Sequence, residues 1–311
     1  MTTMPRFALV SALALTASAA SAADLAPLVA PADLEASLDE VRVIDIRSSG
    51  DDGFAGGHVA GAASAPYQLF RGPAENPGAL VSSDALEQAY RELGLETDDH
   101  VVITYQGTDE TDFGAAARVY WTLKSSGFED LSILNGGINA WTEAGYDLTD
   151  APAEVEASEI EVTWNDQWTA TAEDVQQAIG GGDEALLLDA RPESFWNGKQ
   201  AHPAAAKPGT LPQSQYFEHA GWFSDGPTVV DAVAARNIAA EQDFTDAESI
   251  ISFCNTGHWA ATNWFALSEL ARVENVKLYP ESMVGWSNAG YEMANVPGPL
   301  SMMWNNITSA F

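Results

Sequence analysis

Two kinds of residue are nearly missing. The chain of 311 residues holds one cysteine, Cys254, and 13 lysines and arginines against 45 aspartates and glutamates. A single cysteine excludes an internal disulfide and any multi-cysteine zinc motif. His202 and His219 stand at no metal-ligand spacing from it, so no zinc site is expected. The shortage of positive charge leaves a formal net charge of −32. Such a surface repels nucleic acid and anionic membranes, and neither is expected as a partner. It repels small anions at long range too, so an anion site has to be built locally. An acidic balance of this kind speaks first to solubility. Long apolar runs are also lacking. Phe7 to Leu15 is apolar but too short to span a bilayer. It follows Arg6 and precedes Ala20-Ser21-Ala22, the pattern of a cleavable export signal over 1–22. Cleavage after Ala22 and residence in a bacterial periplasm are the expectation, with no membrane attachment after cleavage.

What is abundant is apolar: 46% of the chain, enough for real cores and against a disordered or fibrous protein. It is organised as two similar halves. In the first, Val41 to Ile46 reads as a buried strand, followed by Arg47 and a Gly-rich loop, "GGHVAGAASAPY" (56–67). Asp84 to Leu93 is helical in spacing, Val101 to Tyr105 a strand, Phe113 to Lys124 helical and Leu131 to Leu134 a strand, before "NGGINAW" (135–141). In the second, Ala185 to Asp189 is the strand, followed by Ala190-Arg191. Ile250 to Phe253 is the next strand, Trp259 to Ala271 is helical, Val276 to Tyr279 is a strand, and "ESMVGW" (281–286) closes the unit. Short, wholly apolar strands alternating with helical patterns predict an α/β fold: a mainly parallel sheet flanked by helices in each half. The expected layout is a first domain over 35–148, a linker over 149–165, a second domain over 166–297 and a tail over 298–311.

Ligands of open parallel sheets sit beyond the carboxyl ends of the strands. Cys254 is at such an end, in "SFCNTGHWA" (252–260). Gly257 allows a tight turn, and the helix that follows directs free N–H groups back at the loop, favouring an anion there. A thiolate or persulfide is such an anion. Position alone leaves two readings open: a nucleophile, or an inert buried thiol.

Strand-Asp-x-Arg, a Gly-rich loop, strand-Cys-x-x-Gly opening a helix, then a strand and a terminal Trp: this order resembles the rhodanese sulfurtransferases, from about residue 35 to about 295. It is most similar to the tandem-domain enzymes that act on thiosulfate or 3-mercaptopyruvate, whose first domain has lost the cysteine. Tyr105-Gln106-Gly107 stands where that cysteine would be. "DIR" (45–47) with "GGHVAGA" (56–62), "DAR" (189–191) with "KPGTLPQS" (207–214), and "VYWTLKSSGFEDLSILNGGINAW" (119–141) carry the resemblance. It implies two rhodanese-like domains and a ping-pong reaction: Cys254 takes a sulfane sulfur from a small anionic donor as a persulfide, and a thiol, cyanide or sulfite removes it. The N–H groups of Asn255 to Trp259 can stabilise both anionic states. No metal or organic cofactor is required.

The candidate site is Cys254 as nucleophile, with Asn255, Thr256, Gly257, His258, Trp259 and Arg191 around the donor. Thiosulfate enzymes carry an Arg-Lys pair where this loop has Asn255 and Thr256, small polar residues closer to the mercaptopyruvate enzymes. Phe195 stands where a second arginine is frequent, and Lys199, His202 and Lys207 are candidates for the missing cations. Arg191 either pairs with Asp189 or faces the site. His258 is either a cation or donor beside the sulfur, titrating near neutrality, or a solvent-facing side chain. Trp259 is either a pocket wall or helix packing. Asp45, Asp189 and His58 read as structural. Cysteine phosphatases of the Cys-x5-Arg type need an arginine where this chain has Ala260, a thiol redox role lacks a second cysteine, and a sulfur carrier without turnover is the remaining alternative.

Overall fold

Apolar runs covered on both faces form the centres of two parallel sheets in the computed structural model, which describes residues 25–181, 184–224 and 226–298. The expected signal over 1–22 and the tail beyond 298 lie outside the described residues. The strands are β1 (Leu28–Val29), β2 (Arg42–Asp45), β3 (Ala63–Ser64), β4 (Val101–Thr104), β5 (Leu131–Leu134), β6 (Ala185–Asp189), β7 (Gln215–Tyr216), β8 (Ser249–Phe253) and β9 (Val276–Leu278). The helices are α1 (Pro31–Ser37), α2 (Ser83–Glu92), α3 (Glu110–Ser125), α4 (Gly137–Glu143), α5 (Ala172–Ile179), α6 (Glu193–Trp196), α7 (Ala232–Glu241), α8 (Trp259–Phe265) and α9 (Ser282–Asn288). The first sheet runs β1-β5-β4-β2-β3 and the second β7-β6-β8-β9. Every ladder is parallel. The α/β architecture with two mainly parallel sheets is the one the alternating pattern predicts.

The differences lie where a segment is too short to carry a period. Leu28 and Val29 extend the first sheet by pairing with Ile133 and Leu134, so the sheet begins ahead of the expected start at residue 35. A parallel bridge between Thr169 and Leu278 takes the same edge of the second sheet. Residues 150–165 form neither helix nor strand, yet they are strapped to the first half. Ser158 N donates to Arg91 O (3.1 Å), Asn165 N to Ser125 O (2.7 Å), and Ile160 is buried. The helical run after Cys254 changes at Ala266: its last turn widens to i→i+5 bonding, with Ala271 N on Ala266 O at 2.8 Å.

The halves share one core. α3 starts at Glu110 because the Asp109 carboxylate caps it, accepting from Asp112 N. Its Gly114, Ala115, Ala116 and Ala117 are small and buried, which lets α3 lie close against α8, where Ala260 and Ala261 answer them. A Cβ on Gly114 would come within 2.8 Å of the His258 ring. Phe113 touches Tyr105 in its own half and Phe223 and Phe265 in the other, each ring edge-on at 5.5 to 5.8 Å. Beyond it, Tyr120 Oη donates to Glu269 and Lys124 pairs with the same carboxylate, both at 3.0 Å.

Truncating a fully buried phenylalanine costs about 3–5 kcal/mol. Phe113→Ala is therefore expected to lower the urea midpoint of the whole molecule. Separate unfolding of the halves, or an unchanged midpoint, would contradict a shared core.

Candidate active site

β8 ends at Phe253, and Cys254 follows at the carboxyl end of the sheet, 1% exposed. The chain reverses through Asn255, Thr256, Gly257 and His258 and enters α8 at Trp259. Gly257 has φ +69°, and a Cβ there would press on Arg118 Nη1 and lie 2.6 Å from Pro280 O. Only glycine meets both conditions.

Each loop carbonyl is held by a donor from outside the loop. Cys254 O and Asn255 O accept from Met283 N and Val284 N of α9, both at 3.0 Å. Thr256 O accepts from Arg71 Nη1 (3.0 Å) and Arg118 Nη1 (3.5 Å), and Gly257 O from Arg118 Nη1 (3.4 Å). Cys254 N donates to Ser282 Oγ at 3.0 Å. The amides of Asn255, Thr256, Gly257, His258 and Trp259 donate to nothing among the described residues. Buried amides are almost always paired, and a run of them facing one place binds an anion.

The first half repeats this turn with an anion built in. Tyr105 follows β4 as Cys254 follows β8. There Gly107 N and Thr108 N both donate to Asp112 Oδ2, at 2.7 and 3.1 Å. The Asp-x-Arg clamps are also duplicated. Arg47 grips Asp45, Gly57 O and Gln106 Oε1. Arg191 grips Asp189 through Nε (2.9 Å) and Nη2 (2.6 Å), then Gly209 O (2.9 Å) and Asn255 Oδ1 (3.3 Å). Asp45 and Asp189 are both fully buried. Arg191 is thus committed to Asp189 and reaches the loop through Asn255, whose Nδ2 is left without an acceptor among the described residues.

His258 is partly buried, and both of its ring nitrogens are engaged by the first half. Its ring bridges the halves: Nε2 lies 2.7 Å from Thr111 O and Nδ1 3.0 Å from Tyr67 Oη. A carbonyl only accepts, so Nε2 carries the proton and Tyr67 Oη donates to Nδ1. Burial, and then the charge of Arg71, pull its pKa down to about 4, so it is neutral near pH 7 rather than cationic. Trp259 stacks on His219 (5.2 Å between centroids, 13° between planes) and meets Phe195 edge-on at 5.8 Å. Its Nε1 donates to Thr111 Oγ1 at 3.4 Å. Lys199 is exposed beside Trp196 and Pro297 and stays out of this cluster, and Lys207 makes no hydrogen bond or ion pair among the described residues. His202 accepts from Ala204 N, and its pKa is lowered by burial and then by the charge of Arg71. His58 is pinned between Phe54 O and Ala151 O.

The residues that sequence reasoning missed are Tyr67, Arg71, Thr111 and Arg118 of the first half, and Ser282, Met283 and Val284 at the start of α9. Arg118, 1% exposed in α3, had one available signal, a cation inside the apolar run "GAAARVYW" (114–121). Burial, and then Arg71, lower its pKa to about 9, which still leaves it charged at neutral pH. Among the described residues no group of three or more His, Cys, Asp and Glu side chains gathers as metal ligands do.

A family model for the Rhodanese-like domain matches residues 30–144 and again 171–289. A putative thiosulfate sulfurtransferase of Haloferax volcanii is 31% identical over 215 residues, 67% of this chain and 73% of that one. The 3-mercaptopyruvate sulfurtransferase of Escherichia coli is 27% identical over 262 residues, 79% of this chain and 89% of that one. Among solved structures, an anaerobic ergothioneine biosynthesis enzyme from Chlorobium limicola, in complex with trimethyl histidine, has a TM-score of 0.76 at 18% identity, over 87% of this chain and 71% of that one. That last likeness is one of fold.

The His258 pKa is about 4 in the folded chain against an ordinary 6.5. Between those values the unfolded chain binds a proton that the folded chain does not, so this contribution is lost as pH falls from about 6.5 towards 4. Urea midpoints measured across that window should fall less steeply for His258→Gln than for the wild type. Equal slopes would show that the ring is not held neutral between the halves.

Proposed function

The chain belongs to the rhodanese family and is a sulfurtransferase, and from that premise we propose that Cys254 carries the transferred sulfur as a persulfide. The observation that carries this reading is the run of unpaired amides from Asn255 to Trp259, set beside a thiol at the carboxyl end of β8. No loop amide donates to Cys254 Sγ itself among the described residues. A persulfide places its outer sulfur about 2 Å further out, which suits amides with no acceptor of their own.

The proposed donors are thiosulfate and 3-mercaptopyruvate, the compounds named in the sulfurtransferases that this chain resembles. The Cys254 thiolate attacks the outer sulfur of thiosulfate. A new S–S bond forms, the old one breaks, and sulfite leaves with its electron pair. With 3-mercaptopyruvate the C–S bond breaks instead, and pyruvate leaves as an enolate that then takes a proton. An acceptor nucleophile (a thiolate, cyanide or sulfite) next attacks the outer sulfur, and the Cys254 thiolate is restored. Negative charge stays at one place throughout, so fixed amides serve every state without rearranging. Asn255 Nδ2 and Thr256 Oγ1 are polar groups free to meet the donor. Arg191 and His258 act by holding the loop, and Trp259 forms an aromatic wall. The signal-like start over 1–22 extends the reading to an exported, periplasmic protein. No described helix is long and apolar enough to cross a membrane.

Intact mass of the purified chain, before and after each donor, tests the reading. One sulfur should be gained by the wild type and none by Cys254→Ser. A gain by the serine variant would move the nucleophile elsewhere. No gain by the wild type with either donor would remove the persulfide reading.

A further inference from the structure

Arg71 and Arg118 stand side by side without a carboxylate. Acidic residues outnumber basic ones 45 to 13 in this chain, yet none of the ion pairs among the described residues includes either arginine. Both reach the Cys254 loop from the first half, and both bind Thr256 O. Two cations held together against their mutual repulsion, on an otherwise acidic molecule, mark a place where a negative group belongs.

Their duties differ. Arg118 is 1% exposed and spends its two terminal nitrogens on Thr256 O, Gly257 O and Gly78 O. It holds the loop. Arg71 is only partly buried; its Nη1 donates to Thr256 O, and its guanidinium also meets the Tyr67 hydroxyl. The Tyr67 ring flanks it at 5.2 Å, and His202 of the other half lies within reach of its charge. The guanidinium is therefore anchored by the Thr256 carbonyl and the Tyr67 hydroxyl, and its remaining N–H donors suit a carboxylate or an oxyanion. Arg191, the cation expected for this task, is occupied by Asp189 and Gly209 O.

We propose that Arg71 binds the anionic oxygens of the sulfur donor, so that the half without cysteine supplies the charge partner of the substrate. The proposal rests on the sulfur-transfer reading for the identity of the ligand. The shared chemistry is an anionic oxygen group: the sulfonate-like end of thiosulfate or the carboxylate of 3-mercaptopyruvate.

Two measurements separate this proposal from that reading. In Cys254→Ser, which cannot take up sulfur, calorimetric titration with thiosulfate, 3-mercaptopyruvate and sulfate, which has no transferable sulfur, measures binding alone. Adding Arg71→Gln should weaken binding of the productive donor by about ten- to a hundredfold, the range for one charge-assisted contact. Arg71→Lys should keep part of it. In the chain with Cys254 intact, Arg71→Gln should raise the half-saturating donor concentration far more than it lowers the maximal rate of sulfur loading. The donor with the larger change identifies the anionic group. Unchanged binding in the double variant overturns the proposal. So does a lower maximal rate at an unchanged half-saturating concentration, since that pattern belongs to a residue that only shapes the loop. If the wild type loads no sulfur, persulfide transfer fails, and binding that depends on Arg71 still decides the anion site.

Discussion

A loop that is to offer its amides to a ligand has to have its carbonyls held elsewhere, and most of this molecule can be understood from that need. The carbonyls of Cys254 and Asn255 are taken by the first amides of α9, and those of Thr256 and Gly257 by arginines of the opposite half. Arg118 has to be buried to do this, and α3 has to come close to α8. The small residues of α3 make that approach possible. His258 then falls between the halves as a neutral link from Tyr67 to Thr111. The aromatic packing of Phe113, Tyr120 and Phe265 fixes the spacing.

Local signals of the site were legible in the sequence. Cys254 could be placed at a strand end because β8 is a continuous apolar run, and Gly257 marked the turn. The buried strands β2, β4, β5, β6, β8 and β9 stood out for the same reason. The two-residue edge strands β1, β3 and β7 did not, because two residues define no period. The cations were illegible for a different reason. Arg71 meets Thr256 across 185 residues of chain, and the segment that carries it has no periodicity to say what it faces. Reading the second half alone left Arg191 as the ready cation, and its clamp on Asp189 became visible only in three dimensions. The sequence leaves His258 either a sulfur partner or a solvent-facing side chain. Its actual neighbours, Gly114 of α3 and Tyr67, lie far away in the chain.

The first half shows what the turn becomes when it needs no ligand. Tyr105 replaces the thiol, and the Asp112 carboxylate closes on the amides of Gly107 and Thr108. The clamp of Arg47 on Asp45 persists, with Gln106 where the second half has Asn255. The scaffold of the turn is therefore separable from its chemistry. One copy answers its own amides with a fixed acid, and the other leaves them open.

That separability bears on why both copies persist. A duplicated segment stripped of its reactive group is ordinarily free to drift or be deleted. Here deletion would strip the α8 face from its covering and leave Thr256 O and Gly257 O without their donors. The silent copy has become masonry of the working one. A change among the arginines, glycines and alanines of one half is thereby felt at the cysteine loop of the other.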